Sequence, residues 1–192
     1  AFTGEEIGLL QSLREVPGFL AFTAIGILIF IRQQSFAILS LITLGIGTAI
    51  TAFFPTALWL YFTTVLMSFG FHYLEAMHNA LSLQWLEKDE APKVLGQLLS
   101  VRAVSNLLVL GSIYLYLIFF PTNYMFIYLS AGGLTVLLGI FCWRAVPKFE
   151  VSVAQRTELF LRKKYWLYYL LTFLAGARRQ IFVVFAGFLM VE

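Results

Sequence analysis

Two long stretches without a charged residue limit the folds open to this chain more than any other feature of its sequence. Gln33–Phe71 and Ala103–Trp143 contain no Asp, Glu, Lys, Arg or His. Each stretch is interrupted once by a short turn signal, "FFPT" at Phe53–Thr56 and "FFPTNY" at Phe119–Tyr124. A membrane-crossing helix needs about 20 mostly apolar residues. Each stretch is therefore long enough for two such helices joined by a tight hairpin.

The composition favours a membrane protein. Hydrophobic residues make up 60% of the chain and charged residues only 12%, against about 25% charged in soluble domains. Because backbone groups in lipid must satisfy their own hydrogen bonds, the spans are predicted to be helical. We expect an all-α membrane protein with six transmembrane helices, the first kinked at Pro17 and Gly18. Their approximate bounds are Gly4–Ile31, Ser35–Phe53, Thr56–Leu86, Pro92–Phe120, Thr122–Trp143 and Tyr165–Val191.

Basic residues in the loops predict the orientation. Arg32 follows the first span, Lys88 and Lys93 follow the third, and a basic segment follows the fifth, whereas the two hairpin turns have no basic residue. Because Lys and Arg accumulate on the cytoplasmic side, the first span is expected to enter from outside. Segment 147–164 is predicted to be a cytoplasmic linker containing a short amphipathic helix. The chain does not begin with Met and stops within an apolar run, so we expect an internal fragment of a longer protein.

Ionisable residues fall inside several predicted spans, where each charge costs about 2.5–3.5 kcal/mol on insertion scales. Arg14 and Glu15 lie about ten residues into the first span, ~15 Å deep in a core of ~30 Å. Arg102 of the fourth span lies at a similar depth. So do the segment His72–Asn79 of the third span and the pair Arg178–Arg179 of the sixth. This agreement in depth across four helices predicts a polar cavity.

Helical periodicity sorts these residues onto faces. Successive residues of an α-helix are rotated by ~100°, so His72, Glu75, His78 and Asn79 fall within an arc of roughly 120° on one face of the third span. Arg102 and Asn106 are four residues apart and share a face of the fourth span. The predicted proton-coupling residues are Glu75 and His78. The predicted substrate-binding residues are Arg14, Glu15, His72, Asn79, Arg102, Asn106, Arg178 and Arg179.

The charge of the predicted cavity indicates its solute. Four arginines outnumber two glutamates, so an anionic or carboxylate-bearing solute is the natural complement. Three structural alternatives stay open for the residues of this cavity. Glu75 could be a fixed partner of an arginine, Arg14 and Glu15 could form a local pair near the Pro17 kink, and the histidines could serve only to hold helices together.

Small residues at three places predict that helices pack closely there. These places are Gly45, Gly47 and Ala49, "SAGG" at Ser130–Gly133 and "AGA" at Ala175–Ala177.

The order of these features resembles the N-terminal half of a major facilitator superfamily transporter. The resemblance rests on the hairpin of the second and third spans, on the short "EKDEAPKVLGQLLS" that follows, and on the long basic linker after the fifth span. The segment "IFIRQQSF" keeps Arg32 of the family's loop motif and lacks its Gly and Asp. The resemblance implies an incomplete two-bundle transporter fold with substrate at the midplane.

By the same resemblance, the six spans are similar to the family's second to seventh helices. Residues 1–146 would then belong to the N-terminal bundle without its first helix, 147–164 to the linker, and 165–192 to the first helix of the C-terminal bundle. The partners implied are missing helices of the same polypeptide. Rocking of one bundle against the other would be the family's mechanism.

The function expected is secondary active transport of a small, anionic solute, coupled to protons, in a plasma or inner membrane. We expect no enzymatic activity, cofactor, metal or nucleic-acid partner; the partners are the solute, protons and the lipid bilayer. The alternatives are an intramembrane metal-dependent enzyme and a non-transporting membrane protein. A metal site in "HYLEAMH" is disfavoured because His72 and His78 lie about 120° and ~9 Å apart on a helix.

Overall fold

A computed structural model describes residues 3–53, 56–87, 89–121, 123–147 and 162–181, without the side chains of Leu83 and of residues 177–181. Every regular element in these ranges is helical, which confirms the prediction of an all-α chain. Two short 3₁₀ turns lie at Leu20–Thr23 and Lys163–Tyr165. The α-helices are α1 (Gly4–Phe19), α2 (Ala24–Ile27), α3 (Gln33–Thr51), α4 (Ala57–Trp85), α5 (Ala91–Phe119), α6 (Tyr124–Ala145) and α7 (Trp166–Ile181).

Four helices are long and apolar enough to cross a membrane: α3, α4 over Ala57–Ser82, α5 and α6. They correspond to the second to fifth predicted spans, with ends that differ by no more than two residues. Most of the surface that other helices leave uncovered on them is apolar. On α5, for example, Leu107, Leu108 and Leu110 are all well exposed. Such a surface is what a helix needs if its neighbour is lipid rather than water.

The residues that interrupt the two charge-free stretches also start the next helices. The Thr56 hydroxyl accepts a hydrogen bond from the backbone N–H of Trp59 at 3.4 Å. The Asn123 side-chain oxygen accepts one from the backbone N–H of Phe126 at 3.3 Å. Both are N-caps that satisfy otherwise unpaired donors in the first turn. The turn signals in the sequence are therefore the caps of α4 and α6.

The first predicted span is not one continuous helix. It begins with a capping box in which Thr3 and Glu6 bond reciprocally. Helix α1 then continues through Pro17 to Phe19, tightens into the 3₁₀ turn and resumes as the single turn of α2. Pro17 lacks the N–H that a helix needs in its interior, and the irregular backbone follows within one turn of it. The predicted disturbance at Pro17 and Gly18 therefore takes the form of a short 3₁₀ turn between two α-helical pieces.

Helix α3 lies at the centre of the fold, between α4 and α6. Gly132 of α6 approaches α3 so closely that a β-carbon there would lie 2.6 Å from the carbonyl oxygen of Gly45. Near the other ends of these helices, the Gln34 side chain donates a hydrogen bond to the Pro147 carbonyl at 2.9 Å. The contacts run in opposite directions along the two helices, so α3 and α6 are antiparallel. Close packing is confirmed at Gly45, Gly47 and Gly132, whereas a β-carbon on Gly133 of the "SAGG" segment or on Gly176 of the "AGA" segment would meet nothing within 4 Å among the described residues.

Helix α4 packs antiparallel to α3 on one side and against α1 on another. The contacts with α1 advance in the same direction along both helices, from Arg14 and Ser68 to Gly18 and His72. Helices α1 and α4 are therefore parallel, as the predicted up-and-down order of the first and third spans requires. Helix α5 packs mainly on α4, over a short stretch.

The structure describes little of the remaining chain. Helix α7 covers the first part of the predicted sixth span, and residues 182–192 lie outside the described residues. The amphipathic helix predicted within 147–164 falls almost entirely on residues 148–161, which also lie outside them. The division into two bundles and a linker stays a prediction.

Candidate functional site

Helices α4 and α5 line an open cavity of about 490 Å³ beside their short contact. The wall from α4 is a single helical stripe with spacings of three and four residues, formed by Phe71, Leu74, Glu75, His78 and Asn79. The facing wall from α5 repeats the same spacing in Leu95, Leu98, Leu99 and Arg102. The volume lies within the range of about 300–1,000 Å³ that is typical of small-molecule sites. This cavity is the candidate functional site.

An ion pair crosses the cavity. Glu75 Oε1 and Arg102 Nη1 are 3.8 Å apart, and the two side chains are 44% and 60% exposed. At this separation two unit charges attract by about 4 kcal/mol at an effective dielectric constant near 20. Water around half-exposed groups lowers the net value toward 1 kcal/mol or less. The pair is therefore loose, and both charges are accessible to a solute.

The two polar side chains beside Glu75 add hydrogen-bonding capacity. His78 and Asn79 lie one turn further along α4, line the same cavity and are exposed. An imidazole can donate and accept a hydrogen bond, and an amide can do both at once. The cavity thus combines one guanidinium, one carboxylate, one imidazole and one amide with an apolar wall.

The apolar wall lies to one side of the ion pair. Leu95, Leu98 and Leu99 precede Arg102 on α5, so they extend back toward the start of that helix over ~10 Å at 1.5 Å per residue. Leu74 lies next to Glu75 on the opposite wall. Sequence reasoning did not select these leucines as site residues. Their signal was their spacing of three, four and seven residues from Arg102, on the same helical face.

His72 belongs to a different contact. A β-carbon placed on Gly18 would lie 2.8 Å from His72 Cε1, so the imidazole occupies the space that Gly18 leaves open on α1. One turn earlier, the Ser68 hydroxyl donates a hydrogen bond to the Arg14 carbonyl. The predicted polar stripe on α4 is therefore divided between two neighbours. Its arc of roughly 120° is wide enough for one edge to face α1 while the rest faces α5.

Three other predicted site residues lie away from the cavity lining. Arg14 Nε and Glu15 Oε1 are 3.4 Å apart on the same helix and form the local pair that was one of the open alternatives. Asn106 lies on α5 one turn beyond Arg102 and is not part of the lining. Arg178 and Arg179 lie in α7, and their side chains are outside the described part of the chain.

The geometry offers no metal centre in the portion of the chain that the structure describes. There, no three side chains of His, Cys, Asp or Glu come together in a way that could hold a metal ion. His72 and His78 face different helices, α1 and α5 respectively. The H-x-x-E-x-x-H spacing therefore does not assemble into a shared ligand set.

Comparison of the chain with protein-family models, with curated proteins and with solved structures finds no match.

Proposed function

We propose that this chain forms part of a multi-pass, proton-coupled secondary transporter for a small anionic solute. The observation that carries the proposal is the accessible Glu75–Arg102 pair in a cavity between two helices that are long enough to cross a membrane. Ionisable groups at such positions are costly and usually line a solute or proton path. A scaffold would gain little from a loose pair that opens into a cavity of this size.

The two charges suit different parts of a transport cycle. The guanidinium of Arg102 keeps its charge and attracts an anion. The carboxylate of Glu75 accepts a proton, and in doing so releases Arg102 from their ion pair. A solute and a proton that enter the cavity together leave its net charge unchanged. Alternating access between two helical bundles, as in the major facilitator superfamily, is the mechanism proposed for moving them.

The test uses the full-length protein in proteoliposomes that contain a pH-sensitive dye. A panel of lactate, hexanoate, succinate and inorganic phosphate is added outside. Proton entry is recorded with each compound in proteoliposomes and in protein-free liposomes, because neutral carboxylic acids cross bilayers unaided. We expect at least one anion to drive more proton entry into the proteoliposomes than into the protein-free liposomes. Glu75→Gln should abolish that proton entry while exchange of labelled solute across the membrane continues, because Gln cannot release or accept the proton.

Glu87→Gln is the matched control. Glu87 is an exposed carboxylate beyond the end of α4 and lies away from the cavity, so its removal should leave coupling unchanged. Proton entry of wild-type size in Glu75→Gln, with the same dependence on pH, would exclude Glu75 as the coupling site. Proton entry no greater than that into protein-free liposomes, with every anion and the wild-type protein, would exclude the proposed function.

A further inference from the structure

The described residues that line the cavity include a single cation, and this limits the charge of the solute. Arg102 provides the one guanidinium, and neither Lys nor a second Arg appears among the lining residues that the structure describes. A single buried or half-buried cation compensates one negative charge. A dicarboxylate would place its second charge against leucine.

The apolar wall indicates what the rest of the solute consists of. Five of the nine lining residues are apolar, and three of them form the leucine stripe that extends ~10 Å along α5 from Arg102. Burial of a methylene group improves affinity about fourfold. The leucine stripe therefore favours an aliphatic chain attached to the charged group and rejects sugars and short polar acids.

We propose that the solute is a monocarboxylate with an unbranched aliphatic chain of several carbons, and that it binds together with one proton. Its carboxylate pairs with Arg102, its chain lies along Leu95, Leu98 and Leu99, and the proton resides on Glu75. This inference rests on the proposed function and adds the chemical class of the solute and the order of its contacts. The substrate carboxylate takes the place that the Glu75 carboxylate holds in the empty cavity.

Glu75 is the group through which binding depends on pH. Glu75 lies opposite Arg102 of α5 and one turn from both His72 and His78 on its own helix; His78 lines the cavity, whereas His72 packs against Gly18. Among the other helices packed on α4, α3 has no titratable residue. Helix α1 carries Glu5 and Glu6 in its first turn, and Arg14 and Glu15, which pair with each other. With Glu75 ionised, the solute carboxylate would meet a like charge and a guanidinium already engaged. With Glu75 protonated, both obstacles disappear.

Binding of the proton and of the solute must then strengthen each other by the same factor. Such couplings typically amount to 5–150-fold. A single linked proton changes affinity by at most about tenfold for each pH unit. The affinity for the monocarboxylate should therefore rise on acidification, and the protein should take up protons on binding, up to about 0.4–0.85 of a proton for each solute at couplings of 5–150-fold.

The experiment measures binding calorimetrically on the full-length protein in detergent, because neutral carboxylic acids cross bilayers unaided. Hexanoate, propionate, adipate and hexylamine are compared at about pH 6 and about pH 8. Hexanoate should bind at least about tenfold more tightly than propionate, since it buries up to three more methylene groups. Adipate should bind at least about tenfold more weakly than hexanoate, and hexylamine should not compete.

Matched variants assign the roles. Glu75→Gln should bind hexanoate equally well at both pH values, whereas His78→Gln should keep the pH dependence. Arg102→Gln should lose hexanoate binding, while Lys93→Gln, which removes a positive charge from α5 outside the cavity lining, should retain it. If Arg102→Gln does not fold, Arg102→Lys provides the second test. This variant should bind hexanoate more weakly than the wild-type protein does, and adipate should still compete poorly with hexanoate.

The outcomes separate this inference from the proposed function. Proton entry driven by succinate or phosphate, without hexanoate binding, would overturn the monocarboxylate class and leave proton-coupled transport standing. Equal binding of adipate and hexanoate would also overturn it. Hexanoate binding without proton uptake would support the ligand class and exclude Glu75 as the linked proton site. Failure of every compound in both assays would overturn both proposals.

Discussion

Replacement of Gly132 by alanine tests the close contact between α3 and α6. The added β-carbon would lie 2.6 Å from the carbonyl oxygen of Gly45 and would also collide with Ala49. Carbon and oxygen in contact are normally about 3.3–3.6 Å apart, so the helices would have to separate by nearly 1 Å. Overpacking of this kind costs about 1–3 kcal/mol. Alanine regains about 1 kcal/mol of helix propensity, which offsets part of that loss.

Gly133→Ala is the control, since a β-carbon on this neighbouring residue would meet nothing within 4 Å. The gain in helix propensity is common to both variants and cancels between them. Gly132→Ala should therefore unfold about 1–3 kcal/mol more easily than Gly133→Ala, and its Tm should be lower by roughly 2–10 °C. Both are measured by thermal unfolding in one detergent. Equal stability of the two variants would refute the packing of α3 on α6.

Two further predictions concern the contact of the first helical segment with α4. Gly18→Ala should lower the free energy of unfolding by up to about 1 kcal/mol relative to Gly26→Ala, measured by thermal unfolding. The carbon added at Gly18 meets the His72 ring, which can rotate aside, whereas a carbon added at Gly26 meets nothing within 4 Å in the described part of the chain. Identical unfolding of the two variants would contradict this contact. Thr23→Val removes both the 2.7 Å hydrogen bond to the Tyr73 hydroxyl and the hydrogen bond that the Thr23 hydroxyl donates to the Leu20 carbonyl, and should cost about 1–2 kcal/mol. In a Tyr73→Phe background it should cost less, because only the bond to Leu20 is left to lose, and fully additive losses would exclude the bond to Tyr73.

The sequence predicts the long helices well because the signals that bound them are local. The charge-free stretches are longer than one span, and each divides at a turn that provides an N-cap, Thr56 for α4 and Asn123 for α6. Capping depends on one side chain and the three residues after it. A single sequence contains all of that information, which explains why four helices end within two residues of their predicted bounds.

The 3₁₀ turn after α1 is accompanied by contacts that one sequence does not contain. Pro17 predicts a disturbance of the helix, but not its form. Here the hydroxyl of Ser68 donates a hydrogen bond to the Arg14 carbonyl, and the hydroxyls of Thr23 and Tyr73 are hydrogen-bonded at the end of the 3₁₀ turn. These contacts attach the segments before and after Pro17 to α4. Their sequence separation of fifty residues or more puts them beyond local pattern reasoning.

The site illustrates the same limit. Depth along the helices placed Glu75 and Arg102 at similar levels, and the structure brings these two together. Depth alone also predicted that Arg14 and His72 line the cavity. In the structure, however, Arg14 pairs with Glu15 and His72 packs over Gly18. Which helix lies beside which face of α4 decides between these outcomes. Periodicity reports the angle of a residue on its own helix and not the identity of the neighbour at that angle.

The Glu75–Arg102 pair also bears on the position of helix α5. Leucines lie all around this helix and are exposed on most of its length, so apolar packing alone would accept several rotations about its axis. Arg102 favours one of them, because only one rotation directs its guanidinium at Glu75 and leads the leucine stripe into the cavity. For a pair worth about 1 kcal/mol or less, this preference amounts to about fivefold at most. Under the proposed function, a proton on Glu75 would weaken this preference as it makes the cation available to an anion. The pair would then link binding of the solute to the position of a helix, which is the kind of link that alternating access requires.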